Sequence, residues 1–460
     1  MLRTSIKNST LPPVSPTSRA VVDFGGWTKA KPHEIQGVLW SFAYFFCLLC
    51  SFYLLRPLRE EMGIQAGVDN LKWAFSATFG AMLLAVPLYG WAATRYARAK
   101  LLPLVYLFFI VNLLVFYALL KNGIAPPPLP HMVPLAFFIW VSVFNLFVVS
   151  VFWSFMADIY DSEQAGRLFG FIAAGGTLGA IAGPALAAAL ASASPLNLLL
   201  IAAALLSLAL VCIQRLSRWS TLAAAPGAAP AIRGAALGGS IWGGITSLRK
   251  SRYLLGICLF IVLYTTLSTF LYFEQARIVA DAYDEPKQRT ALFALIDLAV
   301  NVLTLATQIF VTGRIVDRFG LPITLALIPA LTAVGFAALG FAPVLAALVA
   351  FQIARRAGEY AIARPAREML FTVVDREAKY KSKSVIDTVV YRGGDAAAGW
   401  LFSAIAAAGA SLAAIAWIAV PVSAIWMVTG YGLGIAARTK ARQQSTSDSH
   451  FGHPNAGEKS

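Results

Sequence analysis

Apolar residues in this chain come in long runs, and the runs recur. Twelve stretches of about the same length are nearly free of charge: roughly 36–55, 73–93, 101–120, 132–154, 168–191, 196–213, 254–273, 291–311, 321–341, 343–363, 384–408 and 411–435. A helix rising 1.5 Å per residue needs ~20 apolar residues to cross ~30 Å of hydrocarbon. Twelve such runs cannot be hidden from water in a soluble core. Of the 460 residues, 58% are hydrophobic and 13% charged, where soluble domains carry about 25% charged residues. The expected fold is an all-α membrane protein of about twelve transmembrane helices. Its least defined part is 384–435, where Gly409 and Ala410 alone separate two runs.

The gaps between runs carry the topology. The formal net charge is +15, but Lys and Arg fall in short inter-run gaps rather than on one polar face, which argues against a nucleic-acid partner. With the N-terminus inside, the inner gaps hold 25 of the 37 Lys and Arg residues and the outer gaps seven; the other five lie in or near spans. That bias places both termini in the cytoplasm, in an integral protein of a bacterial inner membrane. Residues 1–35 are polar, with Pro12, Pro13 and Pro16 and no apolar core of a cleaved signal, and read as a cytoplasmic tail. Residues 214–252 hold an Ala/Pro/Gly-rich run, Ala223 to Ala231, and read as a linker. It would join a six-helix half at 36–213 to a second at 253–437, followed by a cytoplasmic tail at 438–460.

A repeat supports two halves. Gly90-Trp-Ala-Ala-Thr94-Arg95-Tyr96 follows the second run, and Gly313-Arg-Ile-Val-Asp317-Arg318-Phe319 follows the eighth, 223 residues on. Both resemble the G-x-x-x-D-R-x-G loop of the major facilitator superfamily, at its two expected places. The resemblance implies two parallel six-helix pseudo-repeats with a site between them.

Charge inside a bilayer costs about 2.5–3.5 kcal/mol per group even on the mildest scale, and so marks a cavity or a partner. Arg355 and Arg356 lie near the middle of the tenth run, with Glu359 on the same face. The eleventh run carries Asp387, Tyr391 and Asp395 at i, i+4, i+8, with Arg392 three residues before Asp395. The eighth carries Asp297, Asn301, Thr304 and Gln308 on one stripe. Asp158 ends a stripe on the fourth, and Glu274 lies toward the outer end of the seventh. Such faces have no inexpensive place except a water-filled pathway. Cys47, Cys50, Cys212 and Cys258 sit in apolar runs and no His lies in one, so no metal site and no cofactor are expected. The dipeptide Gly-Lys of a P-loop occurs nowhere. No nucleophile or metal set marks an enzyme.

Three further stretches resemble the nucleotide transporter (ATP/ADP translocase) family of plastids and intracellular bacteria. They are Arg56-Pro-Leu-Arg59-Glu60; Phe152-Trp-Ser-Phe-Met-Ala-Asp158 followed by Glu163-Gln-Ala-Gly-Arg167; and Pro365-Ala-Arg367-Glu368-Met369 continuing through Lys379, Lys381 and Lys383 to Asp387, Arg392 and Asp395. The chain departs from the family at Asp158 for Asn, Ser382 for Gly and Asp395 for Lys. The resemblance implies a secondary transporter exchanging anionic solutes of the ATP/ADP type by alternating access. Arg56, Arg59, Arg355, Arg356, Arg367, Lys383 and Arg392 would bind the anion, and guanidinium forks suit carboxylates and phosphates. Glu60, Asp158, Glu274, Asp297, Asn301, Glu359, Asp387 and Asp395 would couple or gate, and Gly90, Arg95, Gly313, Asp317 and Arg318 would shape the loops. Beside lipid and the solute, no obligate protein partner is expected. Two alternatives stand: a proton-coupled carrier of another solute, and a non-transporting scramblase or scaffold.

Overall fold

The computed structural model describes residues 22–23, 29–95, 98–123, 132–191, 194–223, 248–249, 251–375, 379, 382–383 and 385–451. The described residues form twelve principal helices. These are α1 (Ile35–Gln65), α2 (Leu71–Arg95), α3 (Arg98–Lys121), α4 (Met132–Ile159), α5 (Ser162–Leu190), α6 (Asn197–Ala223), α7 (Arg252–Ala282), α8 (Pro286–Phe310), α9 (Thr312–Phe341), α10 (Leu345–Gly358), α11 (Tyr391–Ala407) and α12 (Leu412–Phe451). A two-residue antiparallel pair, Val22–Asp23 with Lys29–Ala30, precedes them.

Nine of the twelve, α1, α3 through α9 and α12, are long and apolar enough to cross a membrane. Two helices depart from the sequence expectation. α10 and α11 are shorter than the runs that predicted them, because a π-helical turn interrupts each: Glu359–Ala363 continues α10 into Arg364–Met369, and Ile386–Val390 leads into α11. A π turn carries one extra residue per turn and is not visible in apolar periodicity.

Other boundaries move as well. α6 continues to Ala223 and α12 to Phe451, so helix occupies the start of the expected linker and much of the expected C-terminal tail; the centre of that linker, 224–247, lies outside the described residues. The expected basic loops are helical too. Gly90 and Arg95 sit in the last turns of α2, and Gly313, Asp317 and Arg318 in the first turns of α9, all five exposed. The chain breaks instead at Gly320, whose φ of 72° only glycine adopts without cost.

Without a hydrophobic drive between helices in lipid, close packing selects small residues. α5 shows this against α1. A Cβ on Gly175, Gly179 or Gly183 would come within 2.5, 2.4 and 2.6 Å of the carbonyl oxygens of Phe42, Phe46 and Cys50. The two helices therefore touch backbone to backbone.

Buried apolar side chains form two cores. One gathers α1, α3, α4, α5 and α6 around Tyr44, Phe144 and Phe152; the other gathers α7 to α12 around Phe273, Phe336, Phe402 and Trp426. Residues that join the core of the opposite group, Ile64, Leu71, Ala74 and Phe138 in one direction and Ala294 in the other, lie toward the ends of their helices remote from the chain termini.

Candidate functional site

Between the two groups of helices lie two cavities that share a wall. The larger, a vestibule of about 790 Å³, reaches from the middle of the bundle toward the end that carries the chain termini; Ser150, Gln308 and Arg364 on its lining are exposed. The smaller, a chamber of about 190 Å³, lies deeper. Arg56, Arg59, Tyr360, Tyr391 and Arg392 line both.

Charge is divided unequally between them. The vestibule is lined by Arg56, Arg59, Arg364 and Arg392, and among the described residues no Asp or Glu lines it. Each guanidinium lies near an aromatic ring: Arg59 at 3.9 Å from the Phe138 centroid, Arg364 at 4.9 Å from Tyr360, Arg392 at 5.4 Å from Tyr391 and Arg56 at 6.0 Å from Tyr53. Such faces attract and orient a cation without neutralising it. Asn145, Asn301 and Gln308 add amides.

The chamber holds the acids. Glu60, Asp297, Glu359 and Asp395 line it together with Arg355, Arg356 and the three shared arginines. Arg59 Nη1 bonds Glu60 Oε1 at 2.8 Å and Arg59 Nε donates to Ser142 Oγ at 3.1 Å. Arg392 and Asp395 pair at 3.5 Å, and Thr269 donates to Asp395 at 3.4 Å. Asp297 takes two arginines on one oxygen: Arg356 Nη2 at 2.6 Å and Arg56 Nη1 at 3.7 Å. Its second oxygen, Oδ2, is buried without a hydrogen-bond partner, as is Oε2 of Glu359.

These contacts correct part of the sequence reading. Arg356 pairs with Asp297 of α8, not with Glu359 on its own helix; Glu359, 4% exposed, makes no ion pair among the described residues. A side chain three residues away competes poorly when a facing helix offers a carboxylate at hydrogen-bond distance. The α8 stripe is split: Asp297 faces the chamber, while Asn301, Thr304 and Gln308 face the vestibule. Asn301 donates to the Ala180 carbonyl at 2.6 Å, tying α8 to α5.

Five expected site residues line neither cavity. Asp158 is exposed at the end of α4, and Asp387 is exposed on its π turn. Arg367 is half-buried beyond the α10 π turn, Lys383 pairs with Glu368 nearby, and Glu274 is buried on α7.

Other residues were not foreseen. Gln352 donates to Gln275 Oε1 at 2.6 Å in the chamber wall. At the end opposite the termini, Arg289 grips the fully buried Glu61 with Nε at 2.7 Å and Nη2 at 2.9 Å. Beside it Arg277 meets Asp69 at 3.3 Å, and Trp73 packs edge-on against Trp400 at 4.7 Å. Each of the three contacts at that end joins a residue before the linker to one after it. Partners so far apart in sequence leave no local signal.

A bundle of lipid-compatible helices around a polar, centrally placed cavity has the build of a membrane carrier. The chain belongs to the Major Facilitator Superfamily, whose sequence profile matches residues 37–351, a family of transporters. No curated protein matches the chain in sequence. Solved structures share the fold. A bacterial homologue of the iron transporter ferroportin in an inward-facing state superposes with a TM-score of 0.64 at 13% identity, covering 87% of this chain and 98% of that one. The nucleoside transporter NupG gives 0.54 at 12% identity, covering 89% and 99%. A D-xylose-proton symporter gives 0.56 at 14%, covering 89% and 97%.

Proposed function

We propose that the protein is a secondary transporter of a small organic anion, with the vestibule as its binding site. One observation carries the reading: four arginines face the vestibule and, among the described residues, no carboxylate does. An anion entering there exchanges water for guanidinium donors in a site of low dielectric, where charge-assisted bonds are strongest. The rings of Phe52, Tyr53, Tyr360 and Tyr391 beside those arginines suit a planar organic body. A nucleotide combines both features, in keeping with the resemblance to the ATP/ADP exchangers. With both termini cytoplasmic, the vestibule opens inward and the Glu61–Arg289 end is the closed outer gate. Transport then consists of the two six-helix halves rocking about the site.

The test is uptake into vesicles reconstituted with the purified protein. Labelled ATP outside should enter only when unlabelled ADP or another anion is loaded inside, and Arg56→Gln or Arg392→Gln should abolish it. Uptake of neutral or cationic solutes, with organic anions excluded, would overturn the reading.

A further inference from the structure

The two arginines on Asp297 belong to different halves of the carrier. Arg56 comes from α1 and Arg356 from α10, while Asp297 itself is on α8. One carboxylate, 2% exposed, thus serves two guanidiniums and is not equally shared: Arg356 holds it at 2.6 Å and Arg56 at 3.7 Å. Arg56 lines both cavities, whereas Arg356 lines only the chamber. The looser partner is therefore the one within reach of a ligand in the vestibule.

Resting on the anion reading above, we infer that Asp297 is an internal counter-anion, which occupies Arg56 when the vestibule is empty and yields it to the charged group of the transported anion. The Asp297–Arg56 contact ties the halves together in the empty carrier. An incoming phosphate or carboxylate replaces that tie with its own, and Asp297 falls back on Arg356, which keeps the buried carboxylate compensated. The site thereby selects ligands whose anionic group outcompetes a carboxylate for one guanidinium. Phosphates, with more acceptor oxygens and more charge, do this better than monocarboxylates.

The test uses inorganic pyrophosphate, which carries the charged group without an organic body, and measures its binding to the purified full-length protein by calorimetry. Asp297→Asn removes the competitor and should tighten binding by about tenfold, the scale of one charge-assisted contact. Asp297→Glu keeps a carboxylate and should return affinity toward the starting value. In vesicles, Asp297→Asn should lower both KM and turnover, because the ligand is held but the empty carrier has lost its tie. Arg356→Gln leaves Asp297 to Arg56 alone and should weaken binding, although Arg356 does not line the vestibule. It provides the readout should Asp297→Asn fail to fold. Unchanged or weaker binding in Asp297→Asn, or unchanged or tighter binding in Arg356→Gln, overturns the counter-anion role while leaving the anion site standing. A parent protein that binds no pyrophosphate overturns both.

Discussion

At the scale of single residues, the structure separates charges that line the cavities from charges that hold the frame. Glu34 is of the second kind. It precedes α1, is 1% exposed, and accepts from Arg167 at 3.0 and 3.1 Å, from Gln164 at 3.0 Å and from the Lys31 amide at 2.8 Å. Burial by itself pushes its carboxyl up, but these donors outweigh it and hold the pKa at about 2, down from 4.5. A folded-state value below the unfolded one stabilises above the unfolded pKa and is lost as pH falls. The melting temperature should therefore drop between pH 4.5 and about 2; in Glu34→Gln that contribution is already missing, so the drop should be shallower. Arg364 is of the first kind. It faces the vestibule with a ring beneath it and no ion pair among the described residues. On the anion reading proposed above, Arg364→Gln should leave no orphaned carboxylate, fold normally, and bind the anion about tenfold more weakly in calorimetry, the loss of one charge-assisted contact.

Helices carry the next level of the argument, and here the sequence was legible in part. The apolar runs located every principal helix, because crossing lipid demands a minimum length, but eight of the twelve helices extend five or more residues past their run at one end. The π turns escaped, since they add one residue without disturbing an apolar pattern, yet they set where Glu359, Tyr360 and Tyr391 point. The α8 stripe was readable as polar; its division between two cavities was not, because that depends on what α1 and α10 place opposite it. Five of the expected site residues, Asp158, Glu274, Arg367, Lys383 and Asp387, were chosen by charge or motif and line neither cavity; Asp158 and Asp387 reach water without a cavity, whereas Glu274 is buried among the helices. Packing of α1 on α5 makes a separate prediction. Gly179→Val would drive a branched side chain into the Phe46 carbonyl, and should cost about 1–3 kcal/mol of stability, the usual penalty of overpacking. A detergent melt would show it. An unchanged melting temperature would mean that α1 and α5 separate readily.

For the whole molecule, the end remote from the termini is held by Glu61–Arg289, Asp69–Arg277 and the Trp73–Trp400 contact. Truncating one partner of the buried pair would strand the other charge, so the informative variant removes both. Glu61→Gln with Arg289→Gln should favour opening at that end. A cysteine at Gln352, 3% exposed in the chamber wall, should then react with a membrane-impermeant thiol reagent added from that side, where the parent is protected. Equal protection in both would show that other contacts hold the gate. The two cavities together present six arginines, Arg56, Arg59, Arg355, Arg356, Arg364 and Arg392, against four carboxylates. With those carboxylates ionised, the empty carrier holds two positive charges inside the membrane's electric field, and a bound dianion cancels them. On the anion reading proposed above, voltage acts on one half of the cycle alone: the loaded carrier crosses as a neutral body, while the empty one moves against or with the potential, at up to about 2.3 kcal/mol per charge per 100 mV. In vesicles clamped by a potassium gradient, exchange of one dianion for another should ignore the membrane potential, and net one-way flux of the same dianion should follow it.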